Sequence, residues 1–295
     1  MRRSPSFTVS GTVRGGGPDL KGISINLSAD ATVLGANANN GATTTDENGA
    51  FEITNVLPGP ARIYAYQRGE TPMAGFTMLN VNSDLAGVVI DLQSPFEVRG
   101  AIVAEDGLSV PQLVVSLLHP NLAPGSSTRV SGSGIRFGTV LADEYRLGFS
   151  DVPVGAFVKS ATFGGADALN APFELNADNS SNELRIEMGL ASGQVVGFVQ
   201  DEDGMPQRAV LTLIPDPPQP LQGWRYFVTD ALANGAYRFL GVPPGRYLLQ
   251  AWDSLAQEGQ FDAELTQRYA AGGVAVEMGV GEIVQVNAAK IVVED

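Results

Sequence analysis

The sequence contains no cysteine and only one histidine, His119, among its 295 residues. The absence of cysteine excludes disulfides, thiolate nucleophiles and cysteine-ligated metals. With one imidazole, a Ser-His-Asp triad would have to be built around His119, and a multi-histidine metal site is excluded. Because His119 precedes Pro120 in a segment rich in Pro, Gly and Ser, we interpret it as a solvated loop residue. We therefore predict a non-enzymatic protein with no catalytic residues, no metal and no cofactor.

Positive charge is also scarce. The 18 Lys and Arg residues stand against 32 Asp and Glu residues, which gives a net charge of -14. An acidic surface repels phosphate backbones and anionic lipid headgroups, so neither nucleic acid nor a membrane surface is an expected partner. No apolar run approaches the ~20 residues of a membrane span, and no apolar segment follows Arg2 and Arg3. The sequence therefore predicts no membrane insertion within this chain, which is either cytosolic or a fragment of a longer exported protein.

Turn-forming and core-forming residues, by contrast, are plentiful. The chain has 35 glycines and 18 prolines, and 44% of its residues are hydrophobic. The hydrophobic fraction argues against global disorder, and the glycine and proline content favours many turns between short strands. A chain of this length has room for two or three domains.

Three sequence landmarks recur in the same order along the chain. The first is a strand that opens around Gly11, Gly100 or Gly197. The second is a hairpin turn followed by alternating residues, at 45–53 and 229–239, with a degenerate middle copy at 142–147. The third is a Pro/Gly turn at 56–59, 152–155 and 242–245. Spacings of roughly 90 residues suit one small β-sandwich per repeat.

The landmarks predict an all-β fold of three tandem antiparallel β-sandwich domains. Asp and Gly tolerate the backbone of tight hairpins, and period-two alternation buries one face of each following strand. The predicted boundaries are 1–93, 94–190 for the degenerate repeat, and 191–295. One short helix is predicted in the third domain, over 262–269, with Asp262 as its N-cap.

These residues resemble the carboxypeptidase regulatory-like family, whose members are transthyretin-like (prealbumin-like, Ig-like) β-sandwiches. The matching residues are Gly11, Thr45, Asp46, Gly49, Phe51, Pro58 and Gly59 in the first copy, and Gly197, Thr229, Asp230, Gly235, Tyr237, Pro244, Gly245, Tyr247, Leu249 and Ala251 in the third. The middle copy keeps Asp143, Tyr145, Pro153 and Gly155. The resemblance implies a non-catalytic accessory, adhesion or ligand-binding module of an exported bacterial protein, and hence an extracellular or cell-surface location.

Two functions from different classes follow from this resemblance. The first is a structural or adhesive array, with protein partners or self-association, which could polymerise when an open sheet edge accepts a strand from another chain. The alternative is a carbohydrate-binding module in which Trp224 and Tyr226 form the platform. Alternation places those two rings on one face, which ordinary strand packing also explains.

Two further features have both a plain and a specific interpretation. Lys159, counted from the Pro/Gly turn, aligns with Ile63 and Leu249 and is expected to point inward. It is either a lysine at a shifted strand or sheet edge, or the donor of an intramolecular Lys–Asn/Asp isopeptide cross-link, as occurs in related surface-adhesin sandwiches. The acidic segments 46–49 and 201–204 are either turns or fragments of calcium loops, and their residue types favour turns.

Overall fold

The structure is a computed structural model that describes residues 5–17, 19–29, 40–70, 72–104, 112–119, 122–130, 132–201, 203–219, 222–255 and 259–293. Strands account for 59% of the chain and helices for 6%. The predicted all-β class is therefore confirmed. Within those ranges, no helix is both long and apolar enough to cross a membrane.

Seven strands between residues 7 and 91, here called the N-terminal group, form two sheets. They are β1 (Phe7–Arg14), β2 (Ser24–Ala29), β3 (Asn40–Thr44), β4 (Ala50–Val56), β5 (Gly59–Gln67), β6 (Met73–Val81) and β7 (Leu85–Asp91). The sheet orders are β4-β1-β7 and β3-β2-β5-β6. β1 and β7 pair in parallel, and all other neighbouring strands in these two sheets pair antiparallel. A cluster of buried residues that includes Val9, Ile25, Ile63 and Ile90 forms the core.

The middle group, between residues 96 and 190, repeats this order with additions. Its strands are β8 (Phe96–Ala104), β9 (Leu113–His119), β10 (Leu122–Val130), β11 (Gly134–Val140), β12 (Asp143–Ser150), β13 (Ala156–Phe163), β14 (Ala166–Asp167), β15 (Phe173–Leu175) and β16 (Leu184–Leu190). One sheet runs β11-β8-β16-β13-β14 and the other β10-β9-β12-β15. The strands β13 and β14 extend the first sheet beyond the three strands of its N-terminal counterpart. A second buried cluster includes Ile102, Leu117, Leu147 and Ile186.

The C-terminal group, between residues 193 and 291, has the sheet orders β20-β17-β23 and β19-β18-β21-β22, with β24 paired to β21. Its strands are β17 (Gly193–Phe198), β18 (Val210–Pro215), β19 (Phe227–Asp230), β20 (Ala236–Val242), β21 (Gly245–Trp252), β22 (Val274–Met278), β23 (Ile283–Gln285) and β24 (Lys290–Ile291). Short 3-10 helices lie at Gly223–Arg225, Gly259–Phe261 and Ala270–Gly272. A third buried cluster includes Val195, Leu213, Tyr247 and Leu249.

The predicted helix is confirmed as α1 (Ala263–Arg268). The Asp262 carboxylate accepts a hydrogen bond from the Leu265 amide at 2.9 Å, which caps the first turn. At the other end, the buried Gln250 amide donates to the carbonyls of Thr266 and Tyr269, each at 3.1 Å. Thus α1 is tied at its C-terminal end to β21.

The three opening glycines occupy equivalent places in the three groups. Each lies on the first strand of its group, beside the strand that runs parallel to it (β7, β16 or β23), where a Cβ would collide with a carbonyl oxygen on or directly after that strand. Those oxygens belong to Val88 for Gly11, Leu184 for Gly100 and Val286 for Gly197. The opening landmark therefore marks a close approach of two strands that leaves no room for a side chain.

The fifth strand of each group carries an equivalent buried residue. This alignment corrects the position predicted for the second landmark in the middle repeat. Ile63 of β5 pairs with Leu27 of β2, and Leu249 of β21 pairs with Leu213 of β18. In the middle group the same place is held by Leu147 on β12, paired with Leu117. The segment 142–147 therefore contains the turn into β12 and is not the degenerate hairpin, and the turn at 152–155 joins β12 to β13.

The turn of the middle repeat that corresponds to the second landmark lies instead between β10 and β11, which belong to different sheets, so it is not a hairpin between paired strands. Gly132 adopts a φ of 152° in this turn. Ile135 and Phe137 then alternate inward on β11, opposite Gly100 and Val98 of β8. The prediction for this landmark was wrong because Pro and Gly reveal that a turn exists but not which two strands it joins.

Candidate functional site: the junctions between groups

The second junction joins the middle and C-terminal groups through residues 191 and 192. The Ala191 amide donates to the Gly155 carbonyl at 2.6 Å, and the Ala191 carbonyl accepts from the Gly281 amide at 2.5 Å. Ser192 Oγ accepts from the Gly155 amide at 2.8 Å. Ala191 has a φ of 76°, which is unfavourable for a residue with a side chain. Hydrogen bonds to both groups hold this linker in its conformation.

Trp224 lies at the second junction. It belongs to the 3-10 helix between β18 and β19, and its ring packs edge-on against Phe149 of the middle group, with centroids 4.8 Å apart. Beside it, the buried Gln222 amide donates to Asn170 Oδ1 of the middle group at 2.6 Å. A cavity of about 210 Å³ is lined in part by Phe149 and Trp224. Trp224 is therefore a contact between two groups of strands.

Tyr226, the second residue of the predicted sugar platform, has different neighbours. Its ring lies 5.2 Å from the Phe261 ring, and its hydroxyl accepts from the Gln219 amide at 3.0 Å. Within the described ranges, no ring contact joins Trp224 to Tyr226. The structure therefore does not assemble the two rings into one exposed platform.

Arg225 anchors the segment that carries Trp224, and sequence reasoning missed it. Its guanidinium donates to the Tyr247 hydroxyl at 2.9 Å, to Gln219 Oε1 at 3.0 Å and to the Pro244 carbonyl at 3.0 Å. The Tyr247 hydroxyl in turn donates to the Pro243 carbonyl at 2.9 Å. Burial raises the pKa of Tyr247, and the neighbouring guanidinium opposes that effect. The one sequence feature that could have indicated this anchoring role is the position of the arginine among three aromatic residues.

The first junction, between the N-terminal and middle groups, contains an open groove of about 310 Å³. Its N-terminal wall is the outer face of the β3-β2-β5-β6 sheet, and its other wall comes from β10, the end of β11 and the start of β12. We call this space the junction groove; its lining residues are Asn26, Ser28, Arg62, Tyr64, Phe76, Ser126, Thr139, Val140, Leu141 and Tyr145. A shallower depression that shares Asn26, Tyr64 and Thr139 continues it toward Tyr66 and Arg68.

The junction groove contains protonated tyrosines and a cation. Burial raises the pKa of Tyr145 to about 12, and the Asp143 carboxylate adds to that rise. Burial also raises the pKa of Tyr64, with Tyr66 adding to the effect. The Arg62 guanidinium lies over the Phe76 ring, 5.8 Å from its centroid. At neutral pH the groove therefore offers neutral hydroxyls, aromatic surface and the positive charge of Arg62, while the Asp143 carboxylate lies near Tyr145 on the opposite wall.

Lys159 does not point inward as expected. It lies on β13 at an irregularity of register between Val158 and Ser160, its side chain is 48% exposed, and Nζ is 3.6 Å from Glu187 Oε1. The expectation was wrong because Leu147 holds the buried position equivalent to Ile63. The cross-link itself stays a prediction, which an intact mass lower than the sequence mass by one ammonia or one water would support.

Both acidic segments form turns, as their residue types predict. Asp46 Oδ1 accepts from the amides of Asn48 and Ala50 at 2.8 and 2.9 Å. Asp201 Oδ1 accepts from the amides of Asp203 and Met205 at 3.1 and 2.8 Å. Among the described residues, no group of three His, Asp or Glu side chains could hold a metal ion. His119 ends β9, and its side chain, like residues 1–4, lies outside the part that the structure describes.

Comparisons with known proteins identify no family and only weak similarity to solved structures. No family model matches the chain, and no curated protein matches it. Among solved structures, the chain is similar to the Bacillus anthracis TIE protein (12% identity, TM-score 0.26, 96% of this chain and 50% of that one). It is also similar to a Streptococcal ancillary pilin (11%, 0.29, 97% and 99%) and to BcpA, the major pilin subunit of Bacillus cereus (9%, 0.25, 97% and 99%). The chain spans half the length of the Bacillus anthracis protein. At TM-scores below 0.5, these similarities establish no shared function.

Proposed function

We propose that the chain is an array of three tandem transthyretin-like β-sandwiches, bounded near residues 93 and 190, that serves as a structural or adhesive part of an exported or cell-surface protein. Three separate buried clusters and the repeated sheet order support this division. The role proposed is non-enzymatic, and its chemistry is that of packing and hydrogen bonding between units.

One observation carries the proposal: in every group, the first strand pairs in parallel with a strand from the end of the group, which is β7, β16 or β23. In the C-terminal group only the two-residue strand β24 follows β23. A chain that enters and leaves along parallel strands enters at one end of the sandwich and leaves at the other. Successive units then follow end to end, and each adds roughly 26 Å, the length of an eight-residue strand. The connections, residues 92–95 and 191–192, are too short for independent tumbling.

Hydrogen bonds at the linkers support a stiff array. In the first linker the Leu92 amide donates to the Arg14 carbonyl at 2.7 Å, and Gln93 exchanges two backbone hydrogen bonds with Ala74. The second linker is bonded to both of its neighbours through Ala191. Stiffness and reach are the properties that a spacer or an adhesive stalk needs.

Small-angle X-ray scattering tests the array. Three units of ~90 residues spaced ~26 Å apart in a line give a radius of gyration of about 24 Å, whereas one compact domain of this length gives about 19 Å. We expect the larger value, with a distance distribution that has an extended tail. A radius near the compact value would contradict the proposal.

We also propose that copies of the chain associate through the edges of the β20-β17-β23 sheet. The outer face of this sheet exposes Phe198 by 39%, Leu240 by 41% and Ile283 by 64%, and β20 and β23 are its edge strands. The corresponding face of the middle group instead pairs Glu97 with Arg99 and Arg136. Exposed apolar faces and free edges are where one chain adds a strand to another.

Light scattering after size exclusion tests this association. We expect the mass to rise with concentration for the native chain and to stay monomeric for Ile283→Lys. A native chain that is monomeric at every concentration would contradict it. Carbohydrate binding through Trp224 and Tyr226, the alternative function, has less support, because each ring packs against a different neighbour.

A further inference from the structure

We infer that the junction groove binds an acidic oligosaccharide, one whose sugars carry carboxylate groups. This ligand site goes beyond the structural role proposed above and does not depend on it. The inference is based on the charge of one sheet face, on its aromatic and polar side chains, and on how the equivalent face is used elsewhere in the same chain.

The charge of the face is the opposite of that of the whole chain. The outward residues of the β3-β2-β5-β6 sheet include Arg62 and, just beyond β5, Arg68, whereas the chain carries a net charge of -14. Among the described residues of that outer face none is acidic; they are Ser24, Asn26, Ser28, Ala42, Thr44, Pro60, Tyr64, Tyr66, Ala74, Phe76, Met78 and Asn80 besides the two arginines. Within the described part of the chain, no carboxylate forms an ion pair with either guanidinium. An anionic ligand is therefore the complementary partner, and a planar guanidinium binds a carboxylate through two parallel hydrogen bonds.

The remaining side chains suit a sugar more than a peptide. Tyr64 and Tyr66 are two residues apart on β5 and lie on the same face, so their Cα atoms are roughly 6.8 Å apart. Phe76 lies opposite Tyr64 on the neighbouring strand β6. These half-exposed rings offer an apolar surface to the C–H faces of sugar rings. The groove adds hydroxyl and amide groups from Asn26 and Thr139, which match sugar hydroxyls as donors and acceptors.

The C-terminal group allows an internal comparison, because the equivalent sheet face is covered there by another part of the chain. Because Ile63 and Leu249 are equivalent, Tyr64 corresponds to Gln250 and Tyr66 to Trp252. In the C-terminal group the chain itself covers that face: α1 accepts hydrogen bonds from Gln250, and Trp252 is fully buried and packs on Tyr269. In the N-terminal group the same face lines the junction groove, with Tyr64 and Tyr66 still partly exposed.

Calorimetric titration with oligogalacturonate, an acidic glycan, tests the inference on the whole chain, with neutral maltooligosaccharide and poly-glutamate as comparison ligands. We expect oligogalacturonate alone to bind, more weakly at higher salt. Arg62→Ala should weaken binding by about tenfold, and Tyr64→Ala should also weaken it, whereas Tyr64→Phe keeps the ring and most of the affinity. Arg208→Ala, at an exposed arginine just before β18 that lies outside the proposed association face, is the matched control and should leave binding unchanged.

Three results would overturn the inference. The first is an absence of oligogalacturonate binding at millimolar concentration by a native chain that is folded by circular dichroism. The second is equal binding of maltooligosaccharide or poly-glutamate, which would indicate a neutral sugar or an acidic peptide. The third is an equal loss with Arg62→Ala and Arg208→Ala, which would indicate general charge attraction. Thermal melting of every variant separates loss of the groove from loss of the fold.

Discussion

At the scale of single residues, the most constrained positions are those where a backbone meets another backbone. Gly11, Gly100 and Gly197 are flanked by different residues in the sequence. Each nevertheless faces a backbone carbonyl on or directly after the parallel strand, at a distance that excludes a Cβ. The sequence revealed these glycines as a repeat, and the structure gives the steric reason for them.

Gly197→Ala should lower the free energy of unfolding by about 1–3 kcal/mol, because the added methyl group would force β17 and β23 apart. Urea denaturation measures this change. Gly138→Ala is the control, since nothing lies within 4 Å of its added Cβ, and its effect should stay within about 0.5 kcal/mol. Equal losses for the two variants would argue against the close approach.

Buried tyrosines should make the protein sensitive to alkali. Burial raises the pKa of Tyr145 in the folded chain to about 12 from 10.0. Above pH 10 the unfolded chain loses this proton before the folded chain does, so the stabilisation present below pH 10 is lost as the pH rises toward 12. We expect urea midpoints to fall over this range, and to fall less steeply for Tyr145→Phe.

The slope of the urea midpoint against pH is the quantity to compare, because Tyr145→Phe also removes the hydrogen bond to the Leu141 carbonyl at every pH. Tyr66→Phe, on the outer sheet face, is the comparison variant. A slope for Tyr145→Phe identical to that of the native chain would show that this hydroxyl does not cause the sensitivity.

At the scale of elements, local signals located most turns and the single α-helix, whereas pairing was decided at longer range. Asp262 marks the start of α1 in the sequence and caps it in the structure. The middle repeat was misaligned because its turn into β12 has Asp143 where the other repeats have Gly59 and Gly245. Only the pairing of Leu147 with Leu117 reveals the equivalence.

Asp262→Ala should lower the stability of the C-terminal group by about 1 kcal/mol, because the Leu265 amide loses its acceptor. Urea denaturation followed by tryptophan fluorescence measures this loss, since Trp252 packs against Tyr269 beside α1. Glu264→Gln, which removes only an exposed ion pair with Arg268, should change stability by less than about 0.5 kcal/mol. A larger effect at Glu264 would contradict the role of the cap.

At the scale of the whole molecule, two different junctions connect the groups. The second is held by the packing of Trp224 on Phe149 and by hydrogen bonds through Gln222 and Ala191, beside a cavity of about 210 Å³. The first contains the junction groove of about 310 Å³, whose walls carry polar and aromatic side chains.

Trp224→Ala should loosen the second junction while leaving each buried cluster intact. Limited proteolysis should then cut faster near residues 189–192, and the radius of gyration should change, because the ring no longer packs on Phe149. Val280→Ala, at a residue 67% exposed, is the control and should be cut at the native rate. An unchanged rate in Trp224→Ala would show that the linker bonds alone hold the junction.

The sequence by itself determined the all-β class, the repeat of the opening glycines, the acidic turns and the cap of α1. Each of these depends on residues close together in the chain or on a backbone position that admits only glycine. Tertiary structure alone decided that Trp224 meets Phe149, that Lys159 points outward, and that Arg62, Tyr64 and Tyr145 share a groove. The first and the last of these join residues from different groups of strands, and no local pattern records which faces meet when distant parts of the chain pack together.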